Sequence, residues 1–268
     1  MTRTIAHLSD LHFGKVDAAT LDPLVAAVRD AKPDLVAVSG DLTQRARSAQ
    51  FREAREFLDR LPGQLIVVPG NHDVPAFGNP YQRFFSDWSR FRRYIHPDVE
   101  QTYVDGAIAV IGINTARALS FKGGRINVRQ MEAVRRCFHS AARNAVKVLV
   151  VHHPLDIPHV WPGVSAMRAS AALRHWEECG VDLILAGHEH RAFAGGAERL
   201  RIGNHDAVIV QAGTATSTRV RGGELNSFNL IRTAAKEIRV ERMSWDPVAN
   251  RFAESHSESF ARRADSVK

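Results

Sequence analysis

Five short stretches of this 268-residue chain end an apolar run with side chains that can bind a metal ion or move a proton. They are Ser9-Asp10-Leu11-His12, Gly40-Asp41, Gly70-Asn71-His72-Asp73, His152-His153-Pro154 and Gly187-His188-Glu189-His190. Imidazole, carboxylate and an amide oxygen form the donor set of borderline divalent cations such as Mn, Fe, Co, Ni or Zn. Neither cysteine, Cys137 or Cys179, falls in any of the five, which argues against a structural zinc knot. Together the five hold more donors than one tetrahedral ion can take. They suit two ions ~3.5–4 Å apart that share a carboxylate, a pair that polarises oxygens and activates water.

Such donors meet only if their elements bring them to one place. "TIAHLS", "DLVAVSG", "QLIVVPG", "AIAVIGIN", "AVKVLVVHHP" and "VDLILAGHEH" read as strands. Between them "LDPLVAAVRDA", "SAQFREAREFLDRL", "NVRQMEAVRRCFHSAA" and "SAALRHWEECG" carry apolar positions at helical spacing. Alternating strands and helices imply parallel pairing through right-handed crossovers, with ligands at the carboxyl edge of the sheet. Asp10 and Asp41 are 31 residues apart and Asp41 and Asn71 are 30 apart. Each step is about one strand–helix unit. Neighbouring strands then set these groups side by side. "YQRFFSDWSRFRRYI" reads as a further helix, and "AVIVQAGTAT", "SFNLIRT" and "EIRVERMSWD" as short strands. Residues 1–252 read as one domain and 253–268 as a polar tail that frays.

Composition bounds the remainder. Apolar residues make up 44% and charged residues 24%, as in an ordinary globular protein. The formal charge of +7 favours anionic partners, yet it is spread along the chain. No basic stripe with interleaved aromatics stands out, so nucleic acid is admitted as a partner without being favoured. No apolar run approaches the ~20 residues of a membrane span, and no leader-like apolar stretch opens the chain. A cytoplasmic protein with two free, buried thiols is the expectation.

The ordered set Asp-x-His, Gly-Asp, Gly-Asn-His-Asp, His-x-Pro and Gly-His-x-His resembles the calcineurin-like metallophosphoesterase superfamily over residues 10 to 190. The resemblance implies an α/β fold, a four-layer α/β/β/α sandwich with a dinuclear metal centre at one edge. It implies that Asp10, His12 and His190 hold one ion and that Asn71, His152 and His188 hold the other, with Asp41 between them. His72 is then the catalytic residue beside the phosphoryl group, stabilising charge and protonating the leaving oxygen. Two alternatives stay open: His72 as a ligand or ligand support, and His152 and His153 with exchanged roles. Asp73 either orients a neighbour or is a plain turn residue.

Two departures narrow the branch. Protein phosphatases resemble Gly-Asp-x-x-Asp-Arg-Gly at the second motif, whereas "GDLTQRA" has Gln44 in place of the second aspartate. Pyrophosphatases that cleave UDP-diacylglucosamine resemble Gly-Asn-Arg-Asp at the third, where His72 stands. "SGDLTQRA", "PGNHDVP" and "HHP" are together most similar to the bacterial class III cyclic-nucleotide phosphodiesterases. The expectation is a phosphodiesterase that hydrolyses a small anionic diester such as a cyclic nucleotide, by in-line attack of water activated by the ions. The alternatives are a phosphomonoesterase or nuclease on the same centre, or a fold retained for interaction alone. The branch also admits a homodimer. In "NTARALSFKGGRINVRQ", Arg117 or Lys122 either meets the substrate or is solvated. His153 is the third candidate for substrate binding, and Trp161 either stacks on a base or packs its loop.

Overall fold

A computed structural model describes residues 2–75, 88–117, 123–155, 166–189, 197–202, 205–220 and 223–262. The first sheet joins β1 (Arg3–Leu8), β2 (Leu35–Val38) and β3 (Gln64–Val67). The second holds β4 (Gln101–Val104), β5 (Ile108–Gly112), β6 (Val146–Val150), β7 (Leu183–Ala186), β8 (Ala197–Ile202) and β9 (His205–Gln211). The chain then returns to the first sheet with β10 (Ser227–Thr233), β11 (Glu237–Asp246) and β12 (Arg251–Ala261). The strand orders are β12-β11-β10-β1-β2-β3 and β4-β5-β6-β7-β9-β8. Within them β1, β2 and β3 are parallel, as are β5, β6, β7 and β9.

Alternating side chains explain the layers. Along β2, Leu35 and Ala37 face the second sheet, while Val36 and Val38 face helices on the outer side. On β6, Val146, Val148 and Val150 enter the same inter-sheet core, and Leu149 points to the opposite helix layer. Strands buried on both faces read as unbroken apolar runs, which is what this sequence shows. The outer layer of the first sheet contains α1 (Ala18–Asp30), α2 (Ser48–Leu58) and α3 (Ser89–Tyr94). Phe51, Ala54, Phe57 and Leu58 form the buried stripe of α2. The second sheet is covered by α4 (Val128–Ser140) and α5 (Ala169–His175). The α4 start is locked by a reciprocal cap: Gln130 N–H donates to Asn127 Oδ1, and Asn127 N–H donates to Gln130 Oε1, both at 2.9 Å. Helices, sheet, sheet, helices is the expected four-layer sandwich.

One expectation is corrected. Residues 253–262 are not a frayed tail: the chain pairs with β11 from Arg251 to Ala261, and the guanidinium of Arg262 donates to Asp182 at 2.7 Å, while 263–268 lie outside the described residues. Only Phe252 and Phe260 of β12 are buried apolar side chains. An edge strand with one wet face has little hydropathy to announce it, and its backbone ladder leaves no mark in the side chains. Cys137 and Cys179 are free and buried, as expected. Among the described residues no helix is long and apolar enough to cross a membrane.

Candidate metal centre

The carboxyl ends of β1, β2 and β3 are laced to one another before any side chain is considered. Asp10 N–H donates to Gly40 O at 3.0 Å, His12 N–H to Asp41 O at 2.9 Å and Phe13 N–H to Leu42 O at 2.8 Å. Asp73 bolts the third loop to the second. Its carboxylate accepts from the N–H groups of Gly70 (3.0 Å), Leu42 (3.1 Å) and Thr43 (2.8 Å), and from the Thr43 hydroxyl (2.9 Å). Burial, then the nearby Asp41 charge, pushes Asp73 up to about 6 against those donors. Orienting its neighbours is therefore what Asp73 does, and the plain-turn alternative falls away.

Strain and close approach concentrate here. Asp10 (φ 53°), His12 (φ 51°), Asp41 (φ 53°) and His188 (φ 78°) all adopt the left-handed backbone region. That conformation costs a non-glycine residue about 1–3 kcal/mol and persists where surrounding structure enforces it. It turns each side chain back over the sheet edge as the strand ends. Two glycines make room. A Cβ on Gly40, whose φ is +101°, would lie 2.6 Å from the His152 ring, and one on Gly70 would collide with Asp41 Oδ1.

The side chains converge around Asp41. Its Oδ2 lies 3.8 Å from His12 Nε2, and its Oδ1 lies 3.4 Å from His152 Nε2. Asp10 Oδ1 is 3.6 Å from His12 Nε2 on the first side. On the other side Asn71 Oδ1 is 3.0 Å from His152 Nε2 and 2.9 Å from His188 Nδ1. Three groups of donor atoms, each within 4.8 Å of one another, follow: Asp10, Asp41 and His152; His12, Asp41 and His72; His152, His153 and His188. Asp10, His12, Asp41 and His152 are buried, while Asn71, His72 and His188 are half-buried and form the open side.

These residues fit divalent cations. His152 Nδ1 donates to the Ser39 carbonyl at 2.8 Å, which turns Nε2 toward two oxygen acceptors, Asn71 Oδ1 and Asp41 Oδ1. Acceptors crowded around a buried nitrogen lone pair call for positive charge. His12 answers in the same sense. Burial alone would lower its pKa, but the bond to Asp10 and the charges of Asp41 and Asp10 outweigh burial and raise it, with Arg219 opposing. Asp41 is held below the usual carboxylate range because His152, His12 and His72 outweigh its burial.

The structure brings six of the seven sequence-derived metal donors together; His190 lies outside the described residues. His72 stands beside the cluster, its ring 4.9 Å from that of His12. Its N–H donates to Asp41 Oδ1 at 2.8 Å and its Nδ1 to the Gln44 carbonyl at 2.9 Å. His153 is fully buried behind His152 and His188, with Nδ1 2.9 Å from the Thr115 hydroxyl. Burial, then His152 and His188, holds its pKa well below the ordinary value. His152 is the histidine turned toward Asn71 and Asp41, while His153 shares a candidate metal-holding group with His152 and His188. Arg117 is tied to the α4 cap, donating to Gln130 Oε1 at 3.2 Å. Lys122 and Trp161 lie outside the described residues. His7 is a core residue hydrogen-bonded to Ser39, its pKa lowered by burial to about 3.

Sequence reasoning missed Arg219. Its Nη1 donates to His72 Nε2 at 3.3 Å and to Gln44 Oε1 at 3.4 Å. No motif surrounds it, and 147 residues separate it from His72.

The sequence model of the calcineurin-like phosphoesterase family matches residues 3–192. A "probable cyclic nucleotide phosphodiesterase" of Synechococcus sp. is 26% identical over 214 residues, 73% of this chain and 76% of that one. The glycerophosphodiester phosphodiesterase GpdQ of Enterobacter lignolyticus is 34% identical over 91 residues, 30% of this chain and 32% of that protein. The solved purple acid phosphatase from yellow lupin (Lupinus luteus) seeds superposes with a TM-score of 0.71 at 12% identity, covering 98% of this chain. This chain spans 54% of that phosphatase, and the likeness is one of fold. With the matched motifs and the clustered carboxylates and imidazoles both in place, the chain belongs to the calcineurin-like phosphoesterase family.

Proposed function

We propose that the protein is a metal-dependent phosphodiesterase acting on a small anionic diester such as a cyclic nucleotide. The carrying observation is Asp41, a single buried carboxylate whose two oxygens face two different imidazoles, His12 and His152. Asp10, His12 and His190 would hold one divalent ion, Asn71, His152 and His188 the other, and Asp41 both. When bound, the pair supplies Lewis-acid charge to the phosphoryl oxygens and lowers the pKa of water.

The protein's own groups do the rest. Ser39 O orients His152, and Asp10 Oδ2 accepts from the His188 N–H at 3.0 Å, so ligands from both sheets are aimed before anything binds. His72 is better suited to the substrate than to metal, because Nδ1 is committed to Gln44 O and Nε2 already accepts from a guanidinium. Its Nε2 is the atom we assign to the leaving oxygen: once it no longer accepts from the guanidinium it takes a proton from solvent, passes it to the leaving oxygen and returns to the neutral form. Two features favour a diester. Gln44 replaces the carboxylate that partners the corresponding histidine in the phosphatase-like pattern. The Synechococcus and Enterobacter relatives are both named as diesterases. The +7 charge keeps nucleic acid in view as a second substrate class.

A substrate panel tests the reading. Metal-depleted protein, restored with manganese, is assayed on bis(p-nitrophenyl) phosphate, p-nitrophenyl phosphate, 3′,5′- and 2′,3′-cyclic nucleotides, and single- and double-stranded DNA. Diester turnover that requires the metal is expected. His72→Ala should lower kcat by ~10²–10⁴-fold while bound manganese persists. Hydrolysis confined to the monoester would overturn the diesterase assignment, and unchanged kinetics would remove His72 from it.

A further inference from the structure

The segment "GTATSTR", between β9 and β10, runs alongside the first motif and is stitched to it. Thr214 Oγ1 donates to Asp10 O at 2.7 Å, Ala215 N–H to Ser9 O at 3.0 Å and Thr216 Oγ1 to Leu11 O at 2.8 Å. Thr218 N–H donates to Lys15 O at 2.9 Å, and Arg219 N–H to Ser217 Oγ at 3.1 Å. Asn226 Nδ2 holds the Ser217 carbonyl at 2.9 Å. This backbone is held to the loop after β1 on one side and by Asn226 on another, and Arg219 is the residue it delivers to the open rim.

Arg219 is half-buried and reaches His72 Nε2 and Gln44 Oε1 through one nitrogen, Nη1. Both acceptors are uncharged as drawn by this geometry: Nδ1 of His72 donates to a carbonyl, so Nε2 presents its lone pair, and Gln44 offers an amide oxygen. A guanidinium bonded to an uncharged acceptor makes a hydrogen bond charged on one side only, whereas an anionic oxygen adds the attraction of opposite charges. A phosphoryl oxygen is thus a better acceptor for Arg219 than His72 Nε2 or Gln44 Oε1. A carboxylate at position 44 would capture the guanidinium; Gln44 leaves it exchangeable. An arginine fork also matches the spacing of two phosphoryl oxygens.

We propose that Arg219 is a phosphate-binding residue of this site, passing its hydrogen bonds from His72 Nε2 and Gln44 Oε1 to non-bridging phosphoryl oxygens as substrate enters. The exchange opens His72 Nε2 toward the ester oxygen at the moment the anion is seated. The inference rests on the phosphoesterase reading for the identity of the anion.

The test is calorimetric titration with inorganic phosphate of wild type, Arg219→Gln and Arg219→Lys, each metal-depleted and manganese-loaded, beside steady-state kinetics on bis(p-nitrophenyl) phosphate. Arg219→Gln should weaken phosphate binding about tenfold to a hundredfold and raise KM in parallel. Arg219→Lys, which keeps the charge and loses the fork, should recover part of both. Tm and bound manganese should not move. Equal phosphate Kd and KM in wild type and Arg219→Gln would overturn the proposal. So would a weakening that follows a lowered Tm or lost manganese, with Arg219→Lys no better than Arg219→Gln. If wild type binds phosphate through Arg219 yet turns over no ester, the diesterase reading fails and this inference stands; active wild type with an indifferent Arg219→Gln gives the reverse.

Discussion

The two sheets bring unlike chemistry to their shared edge. The first contributes both carboxylates, the amide oxygen and two imidazoles: Asp10, Asp41, Asn71, His12 and His72. Their loops are laced by backbone bonds and by the four-bonded Asp73, so this half is organised within its own sheet. The second sheet contributes His152, His153 and His188, and His152 takes its orientation from Ser39 of the first. On the proposed assignment one ion would take Asp10, His12 and Asp41 from the first sheet together with His190, outside the described residues, whereas the other would take Asn71 and Asp41 from the first sheet and His152 and His188 from the second. The described groups of the first set are held by local cross-ties, and those of the second by packing between layers as well.

The sharpest way to break that asymmetry is Asp41→Asn. It removes the carboxylate on which both halves converge, so elemental analysis should show both of about two ions lost and diester turnover abolished. Two ions retained would contradict a shared role. Asn71→Ala is the next largest test. Among the described residues its oxygen faces the imidazoles of His152 and His188, so one ion should be lost and one kept. The smallest effect is the most diagnostic. Val148, in the inter-sheet core, and Val36, between the first sheet and its helices, are both fully buried. Changing either to alanine should cost a similar roughly 1–3 kcal/mol in denaturant unfolding. Manganese titration should then show weakened retention of the second ion in Val148→Ala alone. Matching losses in both variants would mean that the layers do not assemble the second set.

Much of this was legible in the chain because its physics is local. A strand–helix unit has a near-constant length, so donors about thirty residues apart fall on adjacent parallel strands. Helical stripes such as Phe51, Ala54, Phe57 and Leu58 declare themselves by period. Asp73 was ambiguous for a different reason. A buried acid and a turn acid look alike until the N–H groups they meet are placed. The edge strand β12 escaped notice because what holds it is the ladder to β11, and its buried Phe252 and Phe260 stand eight residues apart. Arg219 escaped because nothing in "TSTRVRGG" points to a histidine 147 residues earlier.

Residue types and spacing alone set out the five candidate donor stretches, their order and the strands that end in them, since each follows from short-range periodicity and the length of one crossover. That Asp41 also faces His152, and that Arg219 rests on His72, followed from how two sheets stack through a common apolar core. Contacts between layers depend on where distant strands come to rest, and no window of neighbouring residues carries that information.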